Sequence, residues 1–483
     1  MQPWFDTCRA WSERHPIAWD LVLSIAIGVL LEVAILYFQP PMLAIVRQAG
    51  DDTADKMIRL AEATTASLDK SPAFVLVDID NATWQSWHTP LITPRDKLAG
   101  LIQRIASYGP MLIIVDVDLS FPGGTPIAGA GDPLKSYLAM YPPDAPPLLL
   151  VRNLVSPDEA TGSLYPSSRP TDYDSATTTR PNIVWAAPRF EEDEDGKVRR
   201  WRLFEIACDN GRPGVVPSMH LAASLIVRDA LFGRSPDDDQ PLSARLAPLV
   251  PATCAKRPAN PGPVTISHWP NDAPIAVDDE NVAARASQEE IRGRATAEDV
   301  RSRIIYRVRW QEDAVALGPI VRLKGVGPTP LVSVRPAKVV LDLPVATDAI
   351  AGTGPGLANR IVVISGSYAD SGDWHRTPIG LMPGALLIVN AVEALVHDGT
   401  PREPKVVARV AISLAIILGV SLLVSVFRPV IAAWLSSIGV LIVMLMSLSS
   451  FKSGVVFDLA VPSVGIFLHD ILASLAAAGR QLR

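Results

Sequence analysis

Apolar runs and amphipathic stretches alternate most clearly between positions 74 and 122. Phe74–Asp80 reads FVLVDID, an apolar run closing on Asp78 and Asp80. Pro94–Gly109 follows with Leu98, Leu101, Ile102 and Ile105 at helical spacing, and then PMLIIVDVDLSFP gives a second apolar run closing on Asp116 and Asp118. Short, continuously apolar runs flanking an amphipathic helix predict a βαβ unit whose parallel strands are buried on both faces. Thr93 is the expected N-cap of the helix, with Pro94 near its first turn. Strand side chains alternate, so Asp78 and Asp80 share one side, as do Asp116 and Asp118. Both pairs fall at the carboxyl ends of strands, where open α/β sheets place their ligands.

The same patterning predicts strands at Leu148–Leu154, Asn182–Ala187, Ile304–Trp310 and Arg360–Ser365. Asp195-Gly196, between PRF and KVRRWRLF, is a hairpin turn and not a calcium loop, since the alternating ligands and distal Glu of an EF-hand are missing. Helices are expected over Pro217–Phe232, with His220 as a packing or surface residue, and from Pro383-Gly384 to about Val396, closed by Gly399. Ser156–Pro181 reads as a surface loop, and Gly233–Arg301, rich in Pro, Asp, Ala and Arg, as exposed or disordered. Gly352–Gly356 lacks the Lys-Ser/Thr ending of a phosphate loop and precedes a strand, so it is a turn.

Elsewhere the pattern turns uniformly apolar. Segments 18–38, 406–427, 430–451 and, more weakly, 455–478 have the length of membrane spans. Glu32 lies deep in the first, and Asp458, Pro462, His469 and Asp470 interrupt the last, where such groups need neighbouring helices or the interfaces. Arg9, Arg14, Arg428, Arg480 and Arg483 then fall on one side against Lys452 on the other. That bias puts residues 1–17 and 479–483 in the cytoplasm and the long region 39–405 outside the inner membrane. A hydrophobic content of 48% fits such a layout, and a net charge of −6 gives no basic face for nucleic acid. The chain has three cysteines and no C-x-x-C pair. Outside the cytoplasm Cys208 and Cys254 either form a disulfide or stand as separate thiols; both readings stay open.

The order of these parts resembles the type-two CHASE family of extracellular sensory domains, associated with cyclases and histidine kinases. The matching motifs are VLVDID (Val75–Asp80), Pro94-Arg95, VDVDLSFP (Val115–Pro122), the hairpin Asp195–Phe204, the helix opening Pro217–Leu225, Arg360–Gly384, and Asn390-Ala391. The family's Trp-Pro-Trp-Pro-Arg is reduced to Leu91-Ile92-Thr93-Pro94-Arg95, and its Glu and His after the Pro-Gly are replaced by Leu386 and Ile388. Members often continue into a kinase or cyclase domain, and only Gly479–Arg483 follows the last apolar segment here.

The expected fold class is therefore an α/β extracytoplasmic sensory domain on a parallel βαβ core, with four transmembrane helices, one N-terminal and three C-terminal. Asp78, Asp80, Arg95, Asp116, Asp118, Asp373, His375 and Thr377 form the candidate ligand-binding set. Gathered carboxylates need compensation, from Arg95, from His375 or from a hard cation. They can equally cap helices and shape loops. No metal, cofactor or catalytic residue is expected, because ISGSYAD lacks the nucleophile-elbow pattern around Ser365 and Ser367. The expected function is a membrane sensor relaying a small-molecule or envelope cue to a separate signalling or effector protein. The alternative is a structural anchor or assembly scaffold, perturbing the membrane, with a degenerate sensory domain. The lipid bilayer is a partner in either case, and a homo-oligomer is compatible with both.

Overall fold

A computed structural model describes residues 44–69, 71–121, 131–157, 163–232, 242–255, 264–267, 275–277, 303–322, 327–346, 356–401 and 406–427, with scattered positions in 14–30 and 431–448. The chain divides into two compact units, one of residues 62–286 and 301–400, the other of residues 1–61, 287–300 and 401–483. The second unit contains most of the helix Ala44–Thr64, within the connecting helix expected there, and the helix Val406–Val426, within the expected span 406–427. Among the described residues no helix is long and apolar enough to cross a membrane. Segment 18–38 with Glu32, and the expected spans 430–451 and 455–478, fall mainly or wholly outside the described residues, so the four-helix arrangement does not appear in the fold.

The first unit is a mixed α/β structure built on one sheet. In chain order its strands are β1 (Ser67–Asp69), β2 (Phe74–Ile79), β3 (Leu112–Val115), β4 (Leu148–Val151), the short pair β5 (Leu154–Val155) and β6 (Ser167–Ser168), β7 (Ile183–Ala186), β8 (Phe190–Glu192), β9 (Val198–Trp201), β10 (Phe204–Asp209), β11 (Arg212–Pro217), β12 (Val264–Ser267), β13 (Ile275–Val277), β14 (Ala316–Arg322), β15 (Thr329–Pro336), β16 (Ile361–Gly366), β17 (Trp374–Thr377) and β18 (Gly380–Pro383). The main sheet runs β1-β14-β15-β2-β16-β3-β4-β7. The strands from β15 to β7 are mutually parallel, and β14 runs against β15. β2, β3 and β4 are buried along their whole length, as continuous apolar strands covered on both faces must be.

The helix Arg95–Ser107 buries Leu98, Leu101, Ile102 and Ile105 completely against one face. It begins one residue later than its expected cap: Pro94, and not Thr93, is the N-cap, and no side chain caps the helix. The predicted βαβ unit is present but its strands are not neighbours, because β16 pairs with β2 on one side and β3 on the other. The helix Gly384–His397 is buried at every position from Gly384 to Val396. Leu386 and Ile388 are accordingly core side chains.

Two further expectations change. Ile304–Trp310 is extended and its first residues are buried, yet it joins no sheet. The Ile304 amide donates to Arg199 O of β9 (2.8 Å), and beyond it the backbone meets a side chain: Asn390 Oδ1 accepts from the amides of Arg307 (2.8 Å) and Val308 (2.9 Å), and Asn390 Nδ2 donates to Val308 O (3.0 Å). Arg307 then reaches Glu393 (2.5 Å) and Asp398 (2.6 Å), and the Ser71 hydroxyl donates to Glu393 (2.9 Å). Ser156–Pro181 is more than a surface loop. It carries β6 and the short helix Asp174–Thr177, and it buries Tyr165 and Tyr173. Tyr173 donates to Asp132 (2.7 Å), and the Leu164 amide donates to the carbonyl of Cys254 (2.9 Å). Cys254 is disulfide-bonded to Cys208. His220 is a packing residue, fully buried with its ring 4.9 Å from Phe190, and burial lowers its pKa to about 3.

The Arg307 cluster yields a stability prediction. Arg307→Met leaves Glu393 and Asp398 buried without their cation, and such a loss costs about 3–5 kcal/mol. Chemical denaturation followed by tryptophan fluorescence reads it. A loss under about 1 kcal/mol would show that these carboxylates find other compensation.

Candidate functional site

The register of the central strands places Asp78 of β2 opposite Ser365 of β16, and Ile364 opposite Val115, so Asp116 follows beside Ser365. At a strand spacing of about 4.8 Å the two carboxylates stand on either side of Ser365, about 10 Å apart along the row. Ser365 Oγ donates to Asp116 Oδ2 (3.2 Å). Two residues on, Ser367 donates to Asp78 twice, from its amide (3.0 Å) and its hydroxyl (2.7 Å). The carboxyl ends of β2, β16 and β3 therefore form one small crevice floor, held by two serines of β16 and the turn after it.

The wall comes from the hairpin β17–β18. His375 Nε2 lies 2.9 Å from Asp373 Oδ1, and the Gly384 amide donates to Asp373 O (2.9 Å). Asp373 thus sits at the amino end of the buried helix Gly384–His397, where the helix dipole favours a negative charge. A Cβ on Gly384 would overlap the Asp373 carboxylate, so the Pro-Gly opening of this helix is a close-approach requirement. Beyond the crevice Tyr368 stacks on Trp84 at 4.0 Å, and Asn81 accepts from the Ala369 amide (2.9 Å), fastening the turn after β16 to the helix Asn81–Ser86.

The electrostatics of the crevice are unusual in one direction. Burial raises Asp78 to about 6, against the two hydrogen bonds from Ser367, with Asp80 adding to the rise. Asp116 is pushed up to about 7, first by burial and then by Asp373, while Ser365 and His375 pull it down. The hydrogen bond to Asp373 holds His375 above its ordinary value, with burial opposing.

The remaining candidates have local duties. Asp80 caps the helix Asn81–Ser86, accepting from the Thr83 amide (2.7 Å). Asp118 is exposed and accepts from the Ser120 amide (2.7 Å), which shapes the loop after β3. Arg95 is buried and donates to carbonyls, Asp118 O (3.2 Å) and Phe121 O (2.8 Å), and to no carboxylate. Thr377 closes the β17–β18 turn on Gly380 O (2.6 Å). Asp78, Asp116, Asp373 and His375 thus gather with Ser365 and Ser367 at the strand ends, and the other four support the surrounding loops. Among the described residues no group of three or more His, Cys, Asp or Glu has a metal-holding arrangement. Ser365 and Ser367 both donate to carboxylates, and His375 is paired with Asp373.

The sequence motifs on this row, at the hairpin Glu191–Val198 and along Arg360–Asn390 coincide with its structural joints. A family model of the CHASE2 domain matches residues 25–426. The chain belongs to the CHASE2 family. No characterised protein and no solved structure shows significant similarity to it. CHASE2 domains are extracellular sensory modules. The crevice of this CHASE2 domain lies where the stretches Val75–Asp80, Val115–Asp116 and Ser365–His375 meet.

A pH prediction follows from the crevice. Asp78, Asp116 and His375 all bind a proton more tightly folded than unfolded. Their stabilising contribution is complete below their unfolded values, near 3.8 for the carboxyls, and is lost as pH rises through about 6 and 7. Asp116→Asn should therefore lose part of the decline in stability between pH 4 and 7 that the unaltered protein shows. Melting temperatures across that interval measure it, and parallel curves for the two proteins would refute it. Gly384→Ala should displace Asp373 and return His375 toward its ordinary value, read as a move of its NMR titration midpoint to lower pH.

Proposed function

We propose that this CHASE2 protein is a membrane-anchored sensor. Its α/β unit lies outside the cytoplasmic membrane, detects a small-molecule or envelope cue at the carboxyl ends of its sheet, and relays the change through membrane helices to a separate signalling or effector protein. Family membership carries the sensory reading, since CHASE2 domains are extracellular sensory modules. The apolar segments 18–38, 406–427, 430–451 and 455–478 support anchoring. The Cys208–Cys254 bond supports an oxidising compartment. A response to a cue suits a crevice whose titrating groups change charge near neutral pH.

The test is made in native membranes. The full chain should resist carbonate extraction, and protease added from outside should digest residues of the α/β unit while sparing the termini. Crosslinking with mass spectrometry should then capture one recurrent partner, and Asp78→Asn with Asp116→Asn should alter the yield of that crosslink without altering abundance. Extraction by carbonate would sink the anchored reading. A protein that stays in the membrane and captures no partner would leave an anchor or scaffold in its place.

A further inference from the structure

A second cavity opens at the same end of the sheet, beyond β3. It measures about 220 Å³ and lies between the residues that follow β4, Arg152 to Val155, and those that follow β7, Pro188 and Arg189, with Arg169 closing one side. Among the described residues that line it, three are arginines and none is acidic. Arg152 is held in place by Asp174 (2.7 Å) and by stacking over Trp185, with its guanidinium carbon 4.2 Å from the ring centroid. Arg189 has only a long contact to Glu205 (3.8 Å), a carboxylate that Arg202 engages more closely (3.0 Å). Arg169 lies over the Phe121 ring at 4.8 Å, and among the described residues it makes no ion pair. Behind the same Phe121, buried Arg95 also lacks a carboxylate, and its Nε and Nη1 have no hydrogen-bond partner.

Among the described residues, positive charge thus exceeds negative charge around this cavity. Buried or half-buried cations are ordinarily paired, because desolvation of an unpaired one is costly. Burial lowers the pKa of Arg189, and neighbouring Arg202 lowers it further against the pull of Glu205, as expected where an anionic partner is short. Guanidinium groups fixed by stacking present flat forks that match carboxylate and phosphate oxygens. Asn153, which also lines the cavity, donates to Ser120 Oγ (3.1 Å), so cavity and crevice share the loop after β3.

We propose that this cavity binds a small organic anion, its carboxylate or phosphate oxygens meeting Arg169 and Arg189, with Arg152 and Asn153 beside them. The volume admits a molecule of only a few carbon atoms. That such an anion is the cue rests on the sensory reading above; that it binds does not.

Isothermal titration calorimetry of the full chain in detergent, at constant ionic strength, tests binding of succinate and of glycerol phosphate against neutral succinamide. One of the two anions should bind saturably with a sub-millimolar Kd, and the stronger one names the headgroup. Arg169→Gln breaks no ion pair and should fold; it should weaken binding at least tenfold, and Arg189→Gln should do likewise. Arg309→Gln, which removes an exposed arginine paired with Glu62, should leave binding unchanged. No saturable binding of either anion, equal binding of succinamide, unchanged affinity in both pocket variants, or an equal loss in Arg309→Gln would each overturn the proposal. Saturable binding that leaves partner crosslinks in membranes unchanged would instead sink the sensory reading and keep the pocket.

Discussion

Strand β16 is the constraint on which the rest of this unit depends. It arrives from near position 361 and inserts between strands that end near positions 79 and 115. Were β2 and β3 adjacent, Asp78 and Asp116 would face each other at one strand spacing, about 4.8 Å, and repel in a poorly solvated place. Insertion of β16 doubles that distance and puts Ser365 between them. It also delivers Ser367 to Asp78 and carries the chain on to the hairpin that brings Asp373 and His375. One long-range pairing therefore builds the core and separates the charges of the crevice together.

The buried helix Gly384–His397 is the second half of that arrangement. A helix covered on every side cannot leave polar groups unpaired. Asn390 and Glu393 meet this demand by binding the extended segment at Ile304–Val308 and its Arg307, in place of a neighbouring strand. At the other end Arg228 donates to the carbonyls of Leu395 and Val396, satisfying the last turn. The helix start is fixed to Asp373 and its middle to Arg307.

What the sequence showed and what it hid divides along the range of the interactions. Continuous apolar runs at Phe74–Ile79, Leu112–Val115 and Ile361–Ile364, and the stripe Leu98 to Ile105, are local patterns, and each became the expected element. The hairpin at Asp195-Gly196 was equally legible, since Gly196 takes a positive φ of 72° that the turn demands. Strand order was not legible, because apolar strands carry no mark of their neighbours. β14 and β15 escaped notice behind Gly318, Pro319 and Pro330, residues that usually signal turns but that strands near a sheet edge tolerate. Ile304–Trp310 has the composition of a strand, but its middle bonds to the distant side chain of Asn390. In the crevice the types were readable but the pairings were not: Asp80 and Asp118 resemble Asp78 and Asp116 in sequence, and only backbone amides at Thr83 and Ser120 show that they shape turns.

The loop after β3 is where the two charged places of this surface meet. On one side Asp116 lies among carboxylates and Ser365; on the other Phe121 carries Arg169 over its ring and Arg95 on its carbonyl. Charges of opposite sign are thus sorted to the two sides of a loop six residues long, from Asp116 to Phe121. A ligand shifts an equilibrium only by the difference in its affinity for two states. An anion at Arg169 would compete with the Phe121 ring at the far end of the loop that begins at Asp116. Protonation of Asp116 or His375 would act on that loop from the opposite side.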